Sequence, residues 1–520
     1  MIFHSTFPDV EIPNESVPEF LFRHTRHLGE KPALIDGPSG RTLTFSSLKT
    51  FARRMAAGLA QRGFAKGDVL AILSPNMPEY AIVIQGTALA GGIVTPINPL
   101  YTAREIRHQL TDSGARLLVT VPPFVERARE SIDGTRVEDM IVIGNVAGTT
   151  PFEALLAGDA PEPHPTIDPA HDLFALPYSS GTTGLPKGVM VSHRNVCANM
   201  SQSGVVEPVS PEDVLLGVLP FFHIYGFTVI MTYSLYRGAT VVTLPRFDFE
   251  QFLQAIQDYK VTRIHVVPPI LLALAQHPRV DAYDLSSLRM LVSAAAPLEP
   301  EVGRAVEKRI GCLVKQGFGM TESGPIVAVN PDDPARIRLE TSGLIVPNTE
   351  ARIADPATGE DLGPGERGEL ILRGPQMMLG YLNNPAATSR TLTEDGWMHT
   401  GDLAMIDEDG YLRIVDRLKE LIKYKAFQVA PAELEGILLS HPSVTDAAVI
   451  PLPDPEAGEI PKAFVVKRGD VTADELMDYV AERVAPYKKV RALEFVDAIP
   501  KSASGKILRR VLKQREAAKA

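Results

Sequence analysis

The chain has 520 residues, of which 45% are hydrophobic and 22% charged, so it can bury a sizeable core and global disorder is excluded. At about 100–200 residues per domain, this length predicts three to four folding units. Lys and Arg total 52 against 63 Asp and Glu, a net charge of −11. That argues against nucleic acid as the main partner, because phosphate binding is dominated by basic side chains.

Met1-Ile2-Phe3-His4-Ser5 shows no basic region followed by an apolar run, so no secretory signal is expected. Leu48, Phe51, Met55 and Leu59 share one helical face, and Gly63 can end that helix. Residues 69–73 read as a strand, Pro78 opens a helix, and residues 93–97 read as a strand. The most apolar stretch, 81–94, is too short to span a bilayer and contains Gln85 and Thr87. A buried helix and strand account for it. A polar helix over 103–110, Gly114 and a strand over 117–121 follow. Such alternation predicts largely parallel sheets with helices on their faces.

Residues 161–169 form a proline-rich surface connection, and strands resume at 264–267 and 288–293. From about 343 to 414 the texture changes to short strands between turns such as Gly363-Pro364-Gly365 and Asp409-Gly410, which predicts a small β-rich unit. Beyond Asp416-Arg417-Leu418-Lys419 compact α/β texture returns. There Thr472 and Glu475 form a capping box for a helix running to about residue 485. Cys197 and Cys312 lie far apart and match neither a disulfide framework nor a metal knuckle; they read as buried reduced thiols. Ala518-Lys519-Ala520 is not a peroxisomal address, so a soluble cytoplasmic protein is expected.

The strongest local signal is Tyr178-Ser179-Ser180-Gly181-Thr182-Thr183-Gly184-Leu185-Pro186-Lys187-Gly188. Small hydroxyl residues and glycines expose donors to an anion, and a lysine adds charge. It is not a Walker A loop, since Pro186 precedes Lys187 and Gly188 follows it. Gly317-Phe-Gly319 lacks the third glycine of a Rossmann fingerprint, and no Gly-x-Ser-x-Gly elbow is present.

Six further motifs follow in order. They are Pro220-Phe-Phe-His-Ile-Tyr-Gly226, Gln316-Gly-Phe-Gly-Met-Thr-Glu-Ser323, Gly368-Glu-Leu370, Trp397-Met-His-Thr-Gly-Asp402, Asp416-Arg417-Leu-Lys-Glu-Leu-Ile-Lys423 and Pro500-Lys-Ser-Ala-Ser-Gly-Lys506. With the loop, they resemble the adenylate-forming superfamily of acyl-CoA synthetases, luciferases and adenylation domains. The nearest flavour is the 4-coumarate–CoA ligase and fatty-acyl-CoA synthetase branch. The resemblance spans nearly the whole chain. It implies an α/β fold with a large N-terminal domain, 1–417, of stacked α/β sheets plus a small β-barrel-like unit near 343–414. A small, mobile α+β C-terminal domain, 418–520, carries the catalytic lysine.

The implied chemistry is ATP-dependent and has two half-reactions. A carboxylate attacks the α-phosphate of ATP, giving acyl-AMP and pyrophosphate. The CoA thiol then attacks the acyl carbonyl and AMP leaves. By resemblance, Thr182, Thr183 and Lys187 hold the β- and γ-phosphates, Ser179, Ser180, Gly181 and Gly184 also bind the nucleotide, and Glu322 is the Mg²⁺ ligand, with Thr182, Lys187 and Glu322 counted as catalytic. One carboxylate suffices, because Mg²⁺ keeps waters and takes phosphate oxygens. Thr321 contacts the α-phosphate. Ala295, Gln316, Gly317, Phe318, Gly319 and Ile414 surround the nucleotide. Asp402 binds the ribose hydroxyls, with Arg417 as a second nucleotide contact. Lys506 bridges the acyl carboxylate and α-phosphate during adenylation. Lys419 is the hinge. Lys423 and Gln428 contact AMP or the acyl-adenylate, and Lys425 to Phe427 line the pantetheine passage.

His223, Tyr225, Gly226, Phe227 and Gly319 match the acyl pocket, with His223 also counted among the catalytic residues. No aspartate occurs over 221–231 to pair with a substrate ammonium, which disfavours amino acids. Tyr225 offers a phenol that could hydrogen-bond a 4-hydroxyl on a cinnamate ring, and could equally wall a fatty-acyl tunnel. Ala426 stands where the branch commonly has glycine, and its methyl narrows the pantetheine passage. Ala294 replaces another common glycine. Two alternatives stay open: an adenylating enzyme with a non-CoA acceptor or luciferase-like oxidation, and a non-catalytic nucleotide-binding protein. Retention of Lys187, Glu322, Asp402 and Lys506 argues against the last.

Overall fold

The computed structural model describes residues 1–179, 186–425, 427–502 and 505–519. Among them, fourteen strands form one sheet, nine a second and five a third. The second sheet is built from the alternation seen in the first part of the sequence. Val69–Leu73 lies between Ile93–Pro96 and Leu117–Thr120, parallel to both. Val69–Leu73 is buried along its whole length, as a parallel strand covered on two faces must be.

Helices Phe45–Gln61 and Glu79–Leu89 cross closely because Gly86 faces Met55. A Cβ at Gly86 would lie 2.8 Å from the Met55 Cβ. Glu79–Leu89 is apolar on every side and sits in a core shared by the first two sheets. The expected buried helix and strand therefore account for residues 81–94. No helix among the described residues is long and apolar enough to cross a membrane.

In the first sheet, Pro32–Asp36, Thr240–Thr243, Val214–Gly217, Arg263–Val266, Met290–Ser293 and Leu313–Gly319 run parallel in that spatial order. Ile326–Val329 then turns back antiparallel on Leu313–Gly319. Through it, the β-rich stretch, including Gly343–Ile345, Met398–Ile406 and Tyr411–Arg417, is hydrogen-bonded into the same sheet while keeping a core of its own.

The third sheet is centred on the hairpin Val444–Asp454 with Gly458–Lys467 and is packed by helices Pro431–Leu439, Ala473–Ala481 and Arg509–Ala517. Thr472 and Glu475 form the expected capping box. The helix ends at Ala481 rather than near 485, because Pro486 holds Ala485 in extended backbone at ψ 149°.

Candidate active site

Asp402 and Arg417 face each other across paired strands Met398–Ile406 and Tyr411–Arg417. Strand alternation puts Asp402 on the buried face, where it is 1% exposed. Arg417 Nε lies 2.6 Å from Asp402 Oδ1. Asp402 Oδ2 is buried and accepts no hydrogen bond among the described residues. Burial raises the Asp402 pKa to about 6, against the opposing charges of Arg417 and Lys506. A buried carboxylate oxygen lacking a donor is costly in a finished fold. That leaves a buried acceptor open to a ligand's hydroxyl donors.

Lys506 approaches the same place from the end of the chain. It is partly buried, and its Nζ makes no ion pair or hydrogen bond among the described residues. Burial, then Arg417, lowers its pKa, while Asp402, Glu322 and Glu420 pull the other way. The neighbouring Gly505 packs on Val267: a Cβ there would lie 3.3 Å from that side chain. Arg509, three residues further on, is anchored by both carboxylate oxygens of Glu435 at 2.6 and 2.7 Å, and by Glu420.

Glu322 sits in a short turn, Thr321–Ser323, just beyond strand Leu313–Gly319. Gly319 is required there, because a Cβ would come within 2.2 Å of the Pro325 carbonyl. Ser179 Oγ and Tyr381 Oη both donate to Glu322 Oε1, at 3.0 and 2.9 Å. Oε2 accepts no hydrogen bond among the described residues. Lys187 Nζ lies 3.7 Å from the centre of the Tyr381 ring. Burial lowers the Lys187 pKa; Glu322 opposes the shift, and Lys419 and Arg390 add to it. Glu322, Lys187 and Ser179 thus meet as the sequence implied.

Tyr381 was not legible in the sequence. Strand Gly380–Tyr381 pairs with Lys187–Ser192, and only that pairing brings the ring under the lysine. Tyr381→Phe keeps the ring and removes the bond to Glu322. A hydrogen bond to a charged group contributes about 1.5–3 kcal/mol. The variant is expected to raise the KM for Mg·ATP by about tenfold or more and leave the acid KM unchanged, as measured by pyrophosphate release.

A narrow cavity beside these groups is lined by Leu219, Pro220, His223, Tyr225, Val267 and Ala295. Tyr225–Tyr233 is a π-helix, and Gly226 lets it start against Pro220, whose carbonyl a Cβ would meet at 2.2 Å. Burial, with Lys506 nearby, lowers the His223 pKa to about 3, so its imidazole is neutral at working pH. Ala295 holds φ +72°, a left-handed conformation that strains a residue with a Cβ. Gln316 supports that loop rather than facing the cavity: its side chain exchanges two hydrogen bonds with the Leu298 backbone, at 3.1 and 3.2 Å.

Phe227 does not line the cavity; it is 1% exposed and packs edge-on against Phe174. Gly317 and Phe318 lie on Leu313–Gly319, with Phe318 and Ile414 partly buried against the core of the β-rich stretch. Thr321 is partly buried next to Glu322. Lys423 and Gln428 are cross-strand partners on an exposed hairpin, and Lys425 occupies its tip at φ +53°. Lys419 is exposed. Ser180, Gly181, Thr182, Thr183, Gly184 and Ala426 lie outside the described residues. Among the described residues no three His, Cys, Asp or Glu side chains gather to hold a metal ion.

Asp402 thus lies by Arg417 and Lys506, and Lys187 by Glu322 and Tyr381, with the narrow cavity beside them. The chain belongs to the AMP-binding enzyme family, whose model matches residues 21–382, with the family's C-terminal domain matching residues 433–506.

Among curated proteins, 4-coumarate–CoA ligase 1 of Petroselinum crispum is 42% identical over 99% of this chain and 97% of its own length. A 4-coumarate–CoA ligase of Pinus taeda is 42% identical over 100% and 98%. Among solved structures, an anthranilate CoA ligase in complex with anthranoyl-AMP superposes with a TM-score of 0.88 at 28% identity, covering 98% of this chain and 99% of that one. ATP-bound MatB from Rhodopseudomonas palustris gives a TM-score of 0.87 at 30% identity, covering 96% and 99%. The protein is an AMP-forming acid–thiol ligase.

Proposed function

We propose that this enzyme activates a 4-coumarate-like aryl-propenoic acid with ATP and transfers the acyl group to CoA in the cytoplasm. The observation that carries the nucleotide half is the orphaned Asp402 Oδ2 beside Lys506. The acid half is supported by the full-length likeness to 4-coumarate–CoA ligases.

Asp402 accepts hydrogen bonds from the ribose hydroxyls. Lys187 and the loop at 179–188 hold the β- and γ-phosphates. Glu322 offers its unbonded oxygen to Mg²⁺, which when bound neutralises phosphate charge. A lone glutamate fits this ion, whose other positions go to phosphates and waters. Lys506 spans the acid carboxylate and the α-phosphate. The carboxylate oxygen forms a bond to the α-phosphorus as the bond to pyrophosphate breaks. His223, neutral and partly buried, packs beside the acid without adding a competing charge. Fixed positive charge where negative charge develops is the main source of rate here.

In the second half-reaction the CoA sulfur bonds to the acyl carbon and AMP leaves. The domain 418–520 turns about Lys419 between the two steps, withdrawing Lys506 from the domain 1–417 and bringing the Lys425 hairpin to the site.

The test is AMP release with ATP, Mg²⁺ and CoA across 4-coumarate, cinnamate, benzoate and hexanoate through palmitate. Hydroxycinnamates are expected to give the highest kcat/KM. Fastest turnover with palmitate would overturn the aryl reading.

A further inference from the structure

Lys506 is supported from two directions, and both supports end on one shelf of the domain 1–417. The shelf is made by helices Pro268–Gln276 and Pro300–Ile310, which pack against each other. Gly505, the residue before Lys506, packs on Val267, the residue before the first helix; a Cβ at 505 would lie 3.3 Å from that side chain. At the far end of the same helix, Arg468 Nη1 donates to Gln276 Oε1 at 2.8 Å. Arg468 is itself steadied by its Nε, which donates to the Pro442 carbonyl at 2.7 Å.

The second helix is met by Gly436. Glu299, just ahead of Pro300–Ile310, aims its carboxylate at Gly436 in helix Pro431–Leu439, and a Cβ there would lie 2.1 Å from Glu299 Oε1. Gly436 is buried. Glycine inside a helix is less stable than alanine, so what it provides here is the close approach of the two domains. The adjacent Glu435 carries this seating to the catalytic end. It holds Arg509, three residues beyond Lys506, through both carboxylate oxygens. Asp416 Oδ2 accepts from the Ala432 N–H at 2.9 Å, which ties the start of the same helix to the strand bearing Arg417. Packing and single hydrogen bonds of this kind can form and break within a catalytic cycle.

We propose that Val267, Gln276 and Glu299 form the shelf on which the domain 418–520 docks for adenylation, and that Gly436 and Arg468 are positioning residues that set Lys506 in the site by seating on it. This rests on the rotation about Lys419 proposed above, and it names the surface that must part before the second step. A reacting group displaced by about 1 Å loses on the order of 10²-fold in rate, so the seat matters although it lies outside the site.

The test closes the shelf covalently. A Cβ at 436 would lie 3.0 Å from Glu299 Cδ, which is two bonds from the Glu299 Cβ. Cysteines in Glu299→Cys/Gly436→Cys therefore come within reach of a disulfide or of the short thiol bridge dibromobimane. Glu299→Cys also removes the carboxylate that the new Cβ would meet. Cys197 and Cys312 are buried, and burial pushes both thiols up in pKa, so neither competes. The reduced double variant is the reference. It is assayed with whichever acid of the panel above turns over fastest, so the outcome does not depend on the aryl reading. The bridged enzyme is expected to keep its single-turnover pyrophosphate burst within about threefold and to lose CoA-dependent AMP release by about 10²-fold or more. Dithiothreitol should restore that release in the disulfide form. If this pair does not fold, Gln276→Cys/Arg468→Cys, at two exposed positions, is bridged with a longer bis-maleimide and read in the same way.

No bridge in the folded variant, or a bridged enzyme without the pyrophosphate burst, overturns the proposal, because the two faces then do not meet for adenylation; the rotation itself is left standing. Thioester turnover at the reduced enzyme's rate in the bridged form overturns the rotation, and the proposal with it.

Discussion

Lys506→Ala is expected to slow acyl-adenylate formation by about 10²–10³-fold, the scale of losing one preorganised charge at the reacting centre. Thioester formation from supplied acyl-adenylate and CoA should stay within about threefold of wild type, because the proposed domain rotation would leave Lys506 outside the site in the second step. The argument rests on where the side chain is placed. It is partly buried among Asp402, Arg417 and Glu322 and forms no ion pair among the described residues. A structural lysine in such a setting would be paired, as Lys462 is with Glu494 and Glu516. Lys506→Arg should not rescue, since a planar fork differs in reach and shape from a point charge. Single-turnover pyrophosphate release measures the first step, and the rise of thioester absorbance measures the second. Equal loss in both steps would contradict the assignment.

Asp402→Asn is expected to weaken ATP and AMP binding by about 10²-fold, because it turns an amide donor toward Arg417 or the ribose and removes a charged acceptor. A pH dependence accompanies it. In the free enzyme burial raises the Asp402 pKa to about 6. Ribose binding needs the carboxylate, so AMP affinity should fall about tenfold per pH unit below 6 in wild type and stay flat in Asp402→Asn. Stability responds in the opposite direction. A folded pKa above the unfolded value, about 3.9, means the group's contribution is full below pH 4 and is lost as pH rises through 6. Titration of AMP by calorimetry from pH 5 to 8 checks the first statement, and thermal unfolding of the free enzyme checks the second. A flat wild-type affinity profile would show that Asp402 is not the ribose acceptor.

The order of strands and helices was legible because period-two and helical patterns carry local information, whereas many element ends were not: the helix expected over 103–110 runs Ala103–Ser113, and the strand expected over 288–293 is Met290–Ser293. Val69–Leu73 and the capping box at Thr472 are cases where the pattern alone was enough. Asp402, Glu322, Lys187 and Lys506 were singled out because each sits in a motif, although nothing in spacing says that residues 187, 322, 402 and 506 lie near one another. Tyr381 escaped because it is an ordinary strand residue until Gly380–Tyr381 pairs with Lys187–Ser192. The seat of Gly436 on Glu299 escaped for a similar reason. One comes from a helix interior and the other from the residue ahead of a different helix, and no short pattern links them. Gln316 and Phe227 were expected at the ligands, yet Gln316 supports the Leu298 backbone and Phe227 fills the core. Sequence pattern marks which segment approaches a site but not which way each side chain turns.

The central claim is that one site activates an aryl-propenoic acid as its adenylate and passes it to CoA. The most direct measurement is AMP formation from ATP, Mg²⁺ and 4-coumarate, with and without CoA, followed together with the ultraviolet absorbance of the thioester. The account predicts that sustained AMP release requires CoA and matches thioester formed one for one. A pyrophosphate burst with no CoA-dependent AMP would contradict it and point to a different acyl acceptor.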